Sequence, residues 1–89
     1  MPRVEFARSL TRHLVCPPQE VAATSLRAAL DAAFVAVPEL RSYVLDDQGA
    51  VRKHVAVFIN AQMIASRTDL DIALQSEDKV MVIQALTGG

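Results

Sequence analysis

Lys79-Val80-Met81-Val82-Ile83-Gln84-Ala85-Leu86-Thr87-Gly88-Gly89 closes the sequence, and its reading decides the fold. The first six residues are a β-like apolar run of the kind found in buried strands. The last five are small, and they mark the one composition shift in the chain. Residues 1–84 therefore read as one domain and 85–89 as a flexible carboxyl-terminal tail. Side chains alternate across a strand, so if Val80 and Val82 face a core, Met81 and Ile83 face away from it.

Moving upstream, His54-Val55-Ala56-Val57-Phe58-Ile59 is the strongest β run. Val55, Val57 and Ile59 would be core, with His54, Ala56 and Phe58 on the opposite face. Asn60-Ala61-Gln62 turns the chain into Met63-Ile64. Arg3-Val4-Glu5-Phe6-Ala7-Arg8 alternates polar and apolar residues, so Val4 and Phe6 should point inward. Cys16-Pro17-Pro18 is irregular, because proline cannot join a central ladder. Gln19 to Ala23 then reads as a second strand pairing back on the first.

Ser25 suits a helix N-cap. Leu26, Ala29, Leu30, Ala33, Phe34 and Val37 form one apolar stripe at helical spacing, and Pro38 ends the helix. Glu39 to Ser42 reads as a connection. Tyr43-Val44-Leu45 and Ala50-Val51 flank a turn at Asp46-Asp47-Gln48-Gly49. Ser66 to Asp78 is polar and irregular, with one helical turn around Leu70–Leu74. The order strand, strand, helix, then two or three strands gives an α+β fold. One helix covers one face only of a mixed sheet of four to five strands, and the last strand lies parallel to the first in its middle. This is the β-grasp pattern.

Composition narrows the function classes. The chain has 89 residues and is 52% hydrophobic and 21% charged, which fits a globular domain and not a disordered segment. Surface scaling allows burial of about 9,000 Å² on folding, enough for a single modest core. Nine basic and ten acidic side chains leave a formal charge of −1. Arg3, Arg8, Arg12, Arg52 and Lys53 thus read as a solvated face and not as a nucleic-acid platform. No apolar run has the length of a membrane span, and the amino-terminal residues lack the apolar stretch of a signal peptide. Cys16 is the single cysteine and can form no internal disulfide. A reducing, cytoplasmic location is expected.

Other chemistry is sparse. His13, His54 and Cys16 lack the number and spacing of zinc ligands, so no metal site is expected. Cys16 has no adjoining lysine to activate it and reads as an inert thiol. Asp69 and Asp71 sit in a polar loop with Glu77 and Asp78, where solvation explains them better than acid–base work.

The Gly-Gly end offers a chemical reason for itself. A terminal carboxylate is an anion at neutral pH and a poor electrophile. It reacts once activated, most simply as an acyl-adenylate. Residues without a Cβ let a backbone enter a narrow channel, and five extended residues reach about 17 Å. Thr87 is small enough to enter such a channel, whereas Leu86 could anchor the tail at its mouth. A domain of this size has no second layer to cover Phe58, Met81 and Ile83, so the three read as a partner interface beside the tail. The alternative for them is half-burial under neighbouring loops.

Leu86-Thr87-Gly88-Gly89 after Lys79-Val80-Met81-Val82-Ile83, with Val57-Phe58-Ile59-Asn60 and the Ser25-Leu26 helix start, resembles the MoaD/ThiS family of ubiquitin-like sulfur carriers. The similarity covers essentially the whole chain. Val51 to Asn60 and Ala85 to Gly89 look closer to the cysteine-biosynthesis carrier type. Ile83-Gln84-Ala85 stands where the molybdopterin synthase small subunit carries a Phe-Pro-Pro-type stretch. The resemblance implies a carrier that performs no catalysis and binds no cofactor. An adenylating enzyme of the ubiquitin-activating type would spend ATP on Gly89, and a sulfur donor would convert it to a thiocarboxylate. A downstream synthase would take the sulfur, for cysteine first, with thiamine, molybdopterin or a secondary metabolite as other destinations. Leu86, Thr87 and Gly88 would be read by these partners. The alternative is a ubiquitin-like modifier joined to lysines through Gly89.

Overall fold

The computed structural model describes residues 1–11, 14 and 16–84. Among them, five strands form one mixed sheet in the order β2-β1-β5-β3-β4. They are β1 (Arg3–Phe6), β2 (Gln19–Glu20), β3 (Val55–Ile59), β4 (Gln62–Met63) and β5 (Lys79–Gln84). β5 runs parallel to β1, with Val4 opposite Val80 and Phe6 opposite Val82. It runs antiparallel to β3, with Val57 opposite Val82. The last strand therefore occupies the middle of the sheet, as the β-grasp pattern requires.

One long helix, α2 (Leu26–Ala36), covers one face. Its Ser25 cap is extended at φ −140°, and the Ser25 hydroxyl accepts the Ala28 amide at 3.2 Å. This satisfies one of the orphan amides of the first turn. Leu26, Ala29, Leu30, Ala33 and Phe34 are buried, as the apolar stripe predicts. They meet Val4, Phe6, Val55, Val57, Val80 and Val82 from the sheet in one core. Ile59 packs at its margin and is half-buried.

Three segments differ from the sequence reading. Arg8–Thr11 forms a short helix, α1, where the alternating pattern suggested the end of a strand. Leu40–Val44 forms a second short helix, α3, in place of a connection leading into a β run. Its ends explain it, because Leu40 and Val44 are one helical turn apart and both fully buried. The third is Leu70–Leu74, which has no helical turn. The Leu70 and Ile72 carbonyls instead accept the Arg27 and Leu26 amides of α2 at 3.0 and 2.8 Å. Leu74 returns an amide to Thr24 at 2.9 Å. The segment is extended because it supplies acceptors that the helix start lacks.

The turn after α3 behaves as expected. The Asp46 carboxylate accepts the Gln48 and Ala50 amides at 2.9 and 3.0 Å. Gly49 takes φ +80°, and Leu45 bridges Val51 across the turn.

Candidate docking face and carboxyl-terminal site

The face opposite α2 follows from strand register. Phe58 on β3 pairs with Met81 on β5, and Ala56 pairs with Ile83. Phe58, Met81 and Ile83 thus share that face, and each is half-buried. β4 adds a fourth apolar side chain, because Met63 lies opposite Phe58 and is 60% exposed. The sequence reading missed Met63. Its signal is the two-residue turn at Asn60 and Ala61, both at positive φ (51° and 69°). A turn of that length fixes the hairpin register and sets Met63 beside Phe58.

The row Met63, Phe58, Met81 ends on β1 at Glu5, which pairs with Met81. The Glu5 carboxylate lies 2.9 Å from Lys79 Nζ and 3.9 Å from Arg3 Nε. Its Oε2 atom is shielded from solvent and held by charge contact, not by a well-directed hydrogen bond. A charged cluster thereby borders the apolar row at the end of the sheet where β1 and β5 begin.

The opposite end is where β5 finishes. Gln84 lies opposite Val55, and Ala7 donates its amide to the Val82 carbonyl at 2.8 Å. Leu86, Thr87, Gly88 and Gly89, the predicted recognition and activation residues, lie outside the described residues with Ala85, as do Arg12 and His13. Around Gln84 is a shallow depression of about 290 Å³ with Leu10, Tyr43, Arg52 and His54 on its walls. Arg52 donates to the Ser42 carbonyl at 2.7 Å and ties this rim to α3. Behind it, the Arg67 guanidinium reaches the carbonyls of Arg52, Lys53 (3.1 Å) and Val55 (3.3 Å). One cation thus gathers several carbonyls of the segment leading into β3.

Cys16 is half-buried, and burial, reinforced by the Glu39 carboxylate, pushes its thiol above the ordinary range. That direction is opposite to nucleophile activation. Asp71 pairs with Arg27 at 3.7 Å, which leaves it a surface partner of α2. Asp78 has a structural task. It accepts Asn60 Nδ2 at 2.7 Å and the Gln75 amide at 2.8 Å. Asn60 Oδ1 accepts the Lys79 amide at 2.9 Å, so the β3–β4 turn is latched to the start of β5. Among the described residues, no cluster of three histidine, cysteine or acidic side chains could hold a metal ion, and no helix is long and apolar enough to cross a membrane.

Residues 8–89 match the family model described as the ThiS family. The solved structure of SAMP1 from Haloferax volcanii is 25% identical, with a TM-score of 0.74 over 99% of this chain and 98% of that one. A chain of the Amycolatopsis orientalis BexX/CysO complex is 13% identical, with a TM-score of 0.76 over 100% of both chains. Sulfolobus solfataricus Urm1 is 17% identical, with a TM-score of 0.69 over 93% of this chain and 99% of that one. At the two lower identities the likeness is one of fold. No curated protein matches the chain.

Proposed function

The chain belongs to the ThiS family, and on that premise we propose that it is a sulfur carrier that works through the carboxylate of Gly89. The observation that carries this reading is a Gly-Gly sequence four and five residues beyond a strand in the middle of a β-grasp sheet, within the span of the family match. An adenylating enzyme of the ubiquitin-activating type converts the Gly89 carboxylate to an acyl-adenylate at the expense of ATP. The terminal sulfur of a persulfide donor then displaces AMP to give an acyl disulfide. Attack of a second thiol on the donor's sulfur breaks the S–S bond, leaving a disulfide on the donor side and the thiocarboxylate on Gly89. Like a thiolate, that group is the nucleophilic form of its sulfur. A downstream synthase accepts it, with cysteine biosynthesis the first destination.

The carrier performs no catalysis and holds no cofactor. It works in the cytoplasm and presents one terminal atom through residues 85–89, read by its partners at Leu86, Thr87 and Gly88. Phe58, Met81 and Ile83, joined by Met63, form the docking face. A central strand suits this task, since β5 is hydrogen-bonded on both sides and fixes the point from which the last five residues start.

A second reading has support from the 25% identity to SAMP1, a protein whose Haloferax volcanii structure is also described as small archaeal modifier protein 1. In it, Gly89 ends in an isopeptide bond to a lysine of another protein. Intact mass of the chain purified from its native host separates the two. Replacement of one terminal oxygen by sulfur supports the carrier. Higher-mass covalent adducts support the modifier. A terminus that carries neither overturns both.

A further inference from the structure

We propose that Met63 is an oxidation site that switches the docking face off: a hydroperoxide converts its thioether to a sulfoxide, and reduction restores it. The consequence rests on the docking face proposed above, whereas the chemistry rests on Met63 alone.

The methionines of the chain are Met1, Met63 and Met81. An oxidant must reach the sulfur, so exposure sets the order in which they react. Met63 is 60% exposed and lies on β4, an edge strand of the sheet. Met81 is half-buried on the central strand, between Phe58 on one side and Glu5 on the other. Met1 is as open as Met63 at 59%, but it precedes β1. Three strand spacings, about 14 Å, separate β1 from β4 across the sheet. The remaining sulfur, Cys16, is half-buried, and burial with the Glu39 carboxylate holds it in its less reactive thiol form. Met63 is therefore the open sulfur of the apolar row.

The step balances with one hydroperoxide. A lone pair of Met63 Sδ attacks the terminal peroxide oxygen, and the O–O bond breaks. The leaving oxygen keeps the electron pair and takes the proton, so hydrogen peroxide ends as water. The sulfur is oxidised and the peroxide reduced, each by two electrons. The product is a polar, hydrogen-bond-accepting group in place of an apolar one. Met63 lies opposite Phe58, so the new oxygen enters the row where a partner would cover it. An acceptor covered without a donor weakens the contact. The fold has little at stake, since Met63 is mostly in water. Its hairpin is held by the Ile64 amide on the Val57 carbonyl at 3.0 Å and by the Asn60–Asp78 latch.

The test is partial oxidation of the full chain. The protein is treated with hydrogen peroxide at neutral pH, quenched with catalase at intervals, digested with trypsin and read by mass spectrometry. Trypsin puts the methionines in separate peptides, 1–3, 54–67 and 80–89. Met63 should gain its oxygen about tenfold faster than Met81. Tm at that stage should stay within about 1–2 °C of the untreated chain. Carrier-dependent ATP–pyrophosphate exchange should then need about tenfold more of the oxidised chain. Methionine sulfoxide reductases A and B should reverse the change. A Met63→Leu chain, compared only with itself, should lose no exchange on the same treatment. Oxidation of Met81 first, undiminished exchange with Met63 oxidised, or an equal loss in the Met63→Leu chain would each overturn the proposal. Peptide mapping needs no partner, and Met63→Asp separates the remaining failures. If Met63→Asp weakens docking and the sulfoxide does not, the switch falls and the face stands. If neither weakens it, Met63 leaves the docking face and the switch falls with it.

Discussion

Phe58 and Met81 face each other directly across β3 and β5, on the side of the sheet that α2 leaves uncovered. Met63 extends this pair to the sheet edge and is the most exposed of the three. An apolar row of this kind is costly to leave in water and gains from a partner that covers it. Because Met63 is 60% exposed, Met63→Asp should leave folding stability nearly unchanged. The same substitution should weaken docking by about tenfold or more if the row carries binding energy. Phe58→Asp should weaken it as well, at some cost in stability because Phe58 is half-buried. Carrier-dependent ATP–pyrophosphate exchange by the activating enzyme measures both. A Met63→Asp chain activated at the parent's rate and concentration dependence would remove Met63 from the interface.

Ala61 sits at φ 69° in the two-residue turn between β3 and β4. A Cβ at that dihedral costs roughly 1 kcal/mol, and the preceding Asn60 is among the few side chains that tolerate it. Ala61→Gly should therefore stabilise the domain by about 0.5–1 kcal/mol, although glycine usually destabilises a chain. The gain appears as a higher urea midpoint with an unchanged slope. A lower midpoint would mean that lost chain entropy outweighs the relieved strain.

Asp78 joins the β3–β4 turn to the start of β5. The Gln75 amide, then the Asn60 side chain, hold its carboxyl below the ordinary aspartate value, against a smaller opposing effect of burial. A carboxyl whose folded value is depressed stabilises the fold above its unfolded value and loses that contribution as pH falls through the folded one. Asp78→Asn should lower Tm at neutral pH, and the gap from the parent should close as the pH drops below about 4. Melting curves across that range decide it. A gap that stays constant into acid would assign the effect to geometry and not to charge.

The sheet was legible because its signals are local. Val4, Phe6, Val55, Val57, Val80 and Val82 alternate with the pleat and fall inward as their spacing requires. Ser25 marks the start of α2, and Pro38 lies just beyond its end. The central place of β5 was legible for the same reason. The misread segments depend on distant partners. Leu40 and Val44 have the spacing of a helical turn, but Tyr43-Val44-Leu45 has strand composition, and packing decided between them. Leu70–Leu74 takes its form from the start of α2, more than forty residues away in sequence, which no local pattern encodes. Parity alone placed Phe58, Met81 and Ile83 on one face of the sheet, and the strand register agrees with that placement. Met63 was missed because its position depends on the length of the Asn60-Ala61 turn.

Gly89 supplies the last prediction. The proposed chemistry places its carbonyl against the phosphate of ATP inside a partner's channel, and a glycine lets the backbone approach that closely. Gly89→Phe would put a ring where the channel admits no Cβ, so adenylation should fall to background. Among the described residues the sheet runs to Gln84, and the core they form spans Val4 to Val82; the proposed role of residue 89 lies in the chemistry of the terminus and not in that core. Tm should therefore stay within about 1–2 °C of the parent. The two measurements are read together. Loss of ATP–pyrophosphate exchange with an unchanged melt places the effect in the chemistry of the terminus. Loss of both would show that residue 89 supports the fold, and retention of exchange would show that the activating enzyme does not need a glycine there.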